Sequence, residues 1–283
     1  MSEYEDTLKI ESFFKAMFKD IYEKMNSSDL NQLGYSYKEL YKVGLITLKI
    51  LPSSAYNRTF NTGLEIEMTE NMLSEIITEF KEKKLAEYAI TVIKDRSKPS
   101  DLPNILEHKF NLKKKGSFIC HIHTLENIPE ITSSIQIKEV YKWEDSILSI
   151  INSGHEVSDE VATKLKPLSK FWGHKTHRIF LATKNDIPIS TGQIYYNKEL
   201  NMAWLGSTAT LKQHWGEGGQ TALLYHRLKI LQDLGCDVAV TETVVKDFNP
   251  STHNVRKLGF SDLFVTDFYT PSTMVSRNWR KVD

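Results

Sequence analysis

The chain has 283 residues, room for two domains or one large one. Its 36 Lys and Arg balance 36 Asp and Glu, so no overall field draws it to nucleic acid or to an anionic membrane, and neither is expected as a partner. A 40% hydrophobic share fills sizeable cores, no basic-then-apolar leader or long apolar run is seen, and two cysteines are too few for a disulfide framework, so a cytoplasmic protein with reduced Cys120 and Cys236 is expected.

Taken in order, residues 8–25 carry Ile10, Phe13, Phe14, Met17, Phe18, Ile21 and Tyr22 at helical spacing, an amphipathic core helix. Residues 44–51 read as a strand, and 54–64 as a loop with a short strand. Thr69 with Met72 marks a helix start, and 72–83 is amphipathic through Leu73, Ile76, Ile77 and Phe80. A strand at 87–94, a helix capped by Asp101 and running to His108, and a strand at 117–123 complete the first half. Strand alternation puts His121 and His123 on one face, but two histidines without a third convergent ligand do not make a metal site, and no metal is expected. The polar stretch 125–134, with Asn127, Pro129, Ser133 and Ser134, is the boundary, giving domains at 1–128 and 135–283.

The second half opens with a strand at 135–140 and helices at 143–151 and 157–168. The aromatic and basic stretch 170–177 reads as a cleft wall, and its His174 and His177 have no carboxylate or cysteine nearby in sequence to complete a metal site. A strand at 207–211 leads to the stretch that organises the chain. There Gly216, Gly218 and Gly219 open a helix over 219–234, which Gly235 stops. Glycines before a helix let backbone N–H groups converge on an anion, and the helix dipole adds partial positive charge. Such turns also occur for tight turning alone. No Gly-Lys-Ser/Thr follows, so this is not a nucleotide-hydrolase loop, and the spacing is wrong for a dinucleotide fingerprint.

The order of these pieces from His177 to Phe260 resembles the GNAT superfamily of acyl-CoA-dependent N-acyltransferases. In that family a strand leads into an Arg/Gln-x-x-Gly-x-Gly/Ala turn and a helix; here Trp215-Gly216-Glu217-Gly218-Gly219-Gln220-Thr221 sits on that frame. Residues 235–243 look like the following strand, and 251–260, ending Leu258-Gly259-Phe260, like the last helix and its stop. The first half resembles the degenerate first copy of tandem GNAT proteins, with Asn57-Arg58 and Gly63-Leu64 in the characteristic places and no glycine cradle. The fold expected is therefore α/β (α+β): two tandem GNAT-like domains, each a mixed, mostly antiparallel sheet flanked by helices, the first walling the substrate cleft of the second.

The resemblance implies an acyl-CoA co-substrate, acetyl-CoA first among them, and acyl transfer to the amine of a small molecule or peptide. It puts pantetheine along Thr208, Ala209, Thr210 and Leu211 with Asn254 reaching the arm, and the pyrophosphate on the N–H groups of Gly216, Gly218, Gly219 and Gln220 with the Thr221 hydroxyl. For the general base, two residues stand open: Glu242, beside the cleft, and His214, at the turn. Trp215 replaces the usual Arg or Gln, Glu217 puts a negative charge beside the phosphates, and Val255 stands where many of these enzymes carry a tyrosine acid. These departures motivate the alternative of a catalytically silent CoA-binding or regulatory module.

Overall fold

The structure, a computed structural model, describes residues 3–26, 34–50, 53–85, 87–141, 145–155, 163 and 176–271. The expected helix at 157–168 and the aromatic stretch up to 175 lie outside the described residues, save residue 163. Two compact units form: Met1–Ile119 with the segment from Phe264 onward, and Cys120–Leu263. The division runs inside two strands, β5 (Leu112–His123) and β11 (Ser261–Pro271).

In the first unit, α1 (Glu3–Asn26) turns Phe13, Phe14 and Met17 inward, and they are almost wholly buried. Three antiparallel strands follow in spatial order: β1 (Tyr35–Leu40), β2 (Val43–Leu48) and β3 (Arg58–Phe60). β1 was not expected, because its Tyr-Ser-Tyr-Lys-Glu-Leu run is half polar; its place on the outside of β2 explains that composition. Thr69 caps α2 (Glu70–Glu82), its side chain accepting from the Met72 N–H as the sequence implied. The apolar stripe of α2, Leu73, Ile76, Ile77 and Phe80, is buried. Phe80 stacks on Tyr88 with ring centroids 4.9 Å apart. Phe80→Ala should lower the unfolding free energy by about 3–5 kcal/mol, read as a drop in denaturation midpoint at constant slope.

β4 (Ile90–Ile93) meets β3 through a parallel bridge, Arg58 to Ala89, and then pairs with β11. The chain itself fills the space where β3 ends. Lys98 N–H donates to Gly63 O at 2.7 Å, Met68 N–H donates to Lys98 O at 3.1 Å, and the Ser97 hydroxyl donates to Thr62 O at 2.7 Å. Gly63, at φ +72°, must be glycine, since a Cβ there would lie 2.5 Å from Lys98 O. Asp101 precedes α3 (Leu102–His108) as expected, though without a side-chain cap bond.

In the second unit, β10 (Val238–Val244) lies between the end of β5 and β9 (Met202–Thr210). Beyond β9 come β8 (Ile187–Asn197), β7 (His177–Lys184) and β6 (Gln136–Val140), antiparallel throughout. The β9–β10 pair is parallel. Two helices follow the glycine turn and β10: α5 (Gly219–Asp233) and α6 (Pro250–Lys257), the second capped by Asn249. α4 (Asp145–His155) lies on the opposite face from α5: a Cβ on Gly154 would meet Ala209, whereas one on Gly219 would meet Ser190. Each face has its own core. Ile147, Ile150, Ile179 and Leu181 pack on the α4 side, and Phe180, Ile194, Leu205, Leu223 and Leu228 on the α5 side. Both cysteines are buried, and burial pushes the Cys236 thiol up to about 11, so it stays protonated at neutral pH.

Candidate acyl-CoA site

The site begins where β9 and β10 part. Their ladder ends at Val240 opposite Trp204, although β9 runs on to Thr210 and β10 to Val244. Just past the last pair, the Thr241 hydroxyl donates to Leu205 O at 2.8 Å. On the other edge of β9 the register with β8 slips: Gln193 faces Gly206, yet Thr191 faces Ala209. Two steps on β8 thus match three on β9, a bulge centred on Ser207, whose φ is +47°. A serine held in that region is strained and re-aims the neighbouring peptide groups out of the ladder.

Ladder partners share a face, and alternation sorts the side chains around the gap. Thr191, Gln193, Gly206 and Trp204 lie on the α4 side, and through the Val240–Trp204 pair so does Glu242. Thr208 and Thr210 lie on the α5 side, bonded to Arg227 and Ser190. The Trp204 ring covers Gly206 so closely that a Cβ there would overlap it. Gln193 is 1% exposed, and its Oε1 has no hydrogen-bond partner among the described residues. Neither Trp204 nor Gln193 stood out in the sequence, because each reads there as an ordinary strand residue.

At the far end of β9 the expected strand 207–211 is corrected: it starts at Met202 and stops at Thr210, and a short 3-10 turn, Lys212–His214, intervenes. The Leu211 N–H donates to Ile189 O at 2.9 Å, so it bonds within the sheet and is not open to a ligand. The Trp215 indole N–H donates to Thr210 O at 3.0 Å. Gly216 and Gly218 take φ of +82° and +86°, and a Cβ on either would meet open space. Gly219 is needed instead for close approach of the helix to Ser190, at 2.4 Å from a built Cβ. The first N–H to donate inside α5 is that of Ala222, to Gly218 O, which leaves those of Gly219, Gln220 and Thr221 outside the helical ladder.

Glu217 does not stand as a bare charge in this cradle. Lys184 Nζ donates to its Oε2 at 3.1 Å and His214 Nδ1 lies 3.2 Å from its Oε1. Lys184, then His214, holds the carboxyl below its ordinary value. His214 is therefore tied to the cradle loop, while Glu242 belongs to the opened strand. Asn254 Nδ2 donates to Gln220 Oε1 at 2.9 Å, linking α6 to the start of α5. Val255 is buried in the α5-side core.

Each histidine on β5 makes a polar bond within the fold. His121 Nδ1 lies 2.8 Å from Asp262 Oδ1, and its Nε2 2.7 Å from Thr243 Oγ1, which in turn meets Thr252 Oγ1 at 2.7 Å. His123 Nδ1 accepts from Leu125 N–H at 2.8 Å. No group of three metal-ligating residues exists among the described residues. Burial lowers the pKa of His121, His123 and His226 from the usual imidazole value. For such a group the unfolded chain binds protons that the native one refuses. Stability should therefore fall as pH drops below about 6.5, by at most ~1.4 kcal/mol per pH unit for each histidine. Denaturant midpoints at pH 7 and 5.5 check this, and His121→Gln should flatten the slope.

Residues 137–260 match the acetyltransferase (GNAT) family. No curated protein matches the chain. Among solved structures, a GCN5-related N-acetyltransferase from Kribbella flavida superposes with TM-score 0.61 at 12% identity, covering 89% of this chain and 96% of that one. A conserved protein of unknown function from Staphylococcus epidermidis ATCC 12228 gives 0.60 at 12% identity, covering 90% and 96%. A tandem GNAT protein from the clavulanic acid biosynthesis pathway gives 0.55 at 12% identity, covering 81% and 77%. At such identities the likeness is one of fold. No helix among the described residues is long and apolar enough to cross a membrane. The parted strands, the bulge and the glycine turn all fall inside the stretch that matches the acetyltransferase (GNAT) family.

Proposed function

We propose that the protein is an acyl-CoA-dependent N-acyltransferase of the cytoplasm, with acetyl-CoA the first candidate donor and a small-molecule or peptide amine the acceptor. The observation that carries this is the gap between β9 and β10, with a bulge at one end and a glycine turn at the other. The pyrophosphate would rest on Gly216, Gly218, Gly219 and Gln220, with the Thr221 hydroxyl. Pantetheine would follow Thr208, Ala209 and Thr210 between the strands, with Asn254 turning from Gln220 to meet it. The amine nitrogen attacks the thioester carbon, and the oxyanion forms against an N–H freed by the bulge. Collapse expels the CoA thiolate, and the ammonium proton leaves through Glu242, directly or across one water. Glu242 is preferred to His214 because it lies on the α4 side of β10, two residues past the last pair with β9, where the strands have parted.

The domains are taken as 1–128 and 135–283, the first a degenerate tandem copy without a glycine cradle. Its support is the parallel bridge between β3 and β4 and the closure of the adjoining space by Ser97 and Lys98. A second reading, a silent CoA-binding module, is favoured by Val255, which puts a buried valine at the usual acid position. Calorimetric titration with acetyl-CoA followed by CoA release across an amine panel separates the two. Binding with turnover supports the transferase, binding without turnover on any amine the silent module, and no binding from folded protein defeats both.

A further inference from the structure

Arg227 heads the fully buried side chains by size and is 0% exposed. No carboxylate among the described residues pairs with it, and burial alone lowers its guanidinium from the ordinary value to about 9, which leaves it cationic at neutral pH. An unpaired buried cation is expensive unless each donor is used. Here the donors converge on the β9 bulge. Nη1 donates to Gln193 O at 2.8 Å and lies 3.5 Å from Gly206 O, Nη2 donates to Thr208 Oγ1 at 3.0 Å, and Nε donates to Leu223 O, one turn back, at 3.1 Å. Gln193 and Gly206 are the last ladder partners before the slip, and Gly206 and Thr208 flank Ser207. Gly192 makes room for the fork, since a Cβ there would lie 2.9 Å from its Cζ. A neutral side chain could brace the helix against the sheet. A cation aimed at both sides of the bulge also adds positive potential where negative charge would develop.

We propose that Arg227 is a positioning residue for acyl transfer: from the α5 side it sets the Ser207 bulge so that a bulge N–H meets the thioester oxygen, and its charge strengthens that donor. This rests on the acyl-CoA reading given above. The test uses the full chain with Arg227→Met and Arg227→Lys. Three quantities are measured: the carbonyl stretch of bound, carbonyl-labelled acetyl-CoA, the affinity for S-ethyl-CoA, which lacks the carbonyl oxygen, and turnover. Wild-type protein should lower the stretch frequency on binding. Arg227→Met should abolish most of that shift and cut kcat by about 100-fold, the scale of one oxyanion donor. S-ethyl-CoA affinity should stay within about threefold, and Arg227→Lys should recover part of the shift. Should Arg227→Met not fold, Gly192→Ala displaces the guanidinium by steric contact and should also shrink the shift. A Met variant with wild-type shift and kcat overturns the role of Arg227 while leaving the acyl-CoA reading intact. Equal loss of S-ethyl-CoA affinity and of the shift reduces Arg227 to a structural brace. Wild-type protein that binds neither ligand overturns the acyl-CoA reading and this role with it.

Discussion

Gly218→Asp should weaken acetyl-CoA binding by at least about 100-fold, while Gly218→Asn should hold it within a few-fold. The two side chains are nearly the same size. A Cβ at this position meets nothing within 4 Å, so neither clashes with the fold. At φ +86° both pay a backbone penalty of about 1 kcal/mol, which asparagine tolerates better than most residues. What separates them is charge. A carboxylate set about 4 Å from a phosphate costs roughly 4 kcal/mol at an effective dielectric constant near 20. It would also stand at the positive end of α5, on the N–H groups that the phosphates need. Calorimetry on both variants, with melting curves to show that both fold, decides the matter. An Asp variant with unchanged affinity would remove the phosphate cradle from 216–220.

Glu242→Gln should lower kcat by about 100- to 1,000-fold, the usual range for loss of a general base, with acetyl-CoA affinity unchanged. The side chain keeps its shape and loses its negative charge, and with it the ability to take a proton. Its position follows from two ladders: Val240 pairs with Trp204, and Glu242 comes two residues later on the same face, where β10 has left β9. The phosphate end lies elsewhere, at the turn after β9, which is why binding should not suffer. His214→Gln is the companion variant. Because His214 is bonded to Glu217, it should weaken acetyl-CoA binding more than it slows turnover. The reverse pattern, a silent Glu242 and an inactive His214 variant, would exchange their roles.

Much of this site is legible in local sequence. Gly218 and Gly216 announce left-handed turns, Thr69 announces a helix start, and the stripe on α2 reads directly as a buried face. These are decided within a few residues of backbone, where sterics and caps act. Arg227 is a different case. In sequence it is a basic residue amid an apolar helix, Leu223 to Leu231, and an exposed position facing solvent is the ordinary expectation. Only the arrival of Gln193 O, Gly206 O and Thr208 Oγ1 makes its burial possible. Likewise, nothing near His121 in the chain announces Asp262 or Thr243, which stand far along it.

By itself, then, the chain determined the periodic elements, the glycine turn with its helix, and the balance of charge, because each depends on neighbours a turn or two away. The tertiary structure decided the rest. It set where β9 and β10 part, turned Ser207 out of the ladder, tied Glu217 to Lys184, and gave β11 to the strand β4 of the first half. These outcomes depend on strand register and on polar groups meeting across long stretches of chain. Such groups are fixed only when burial forces each donor to find an acceptor.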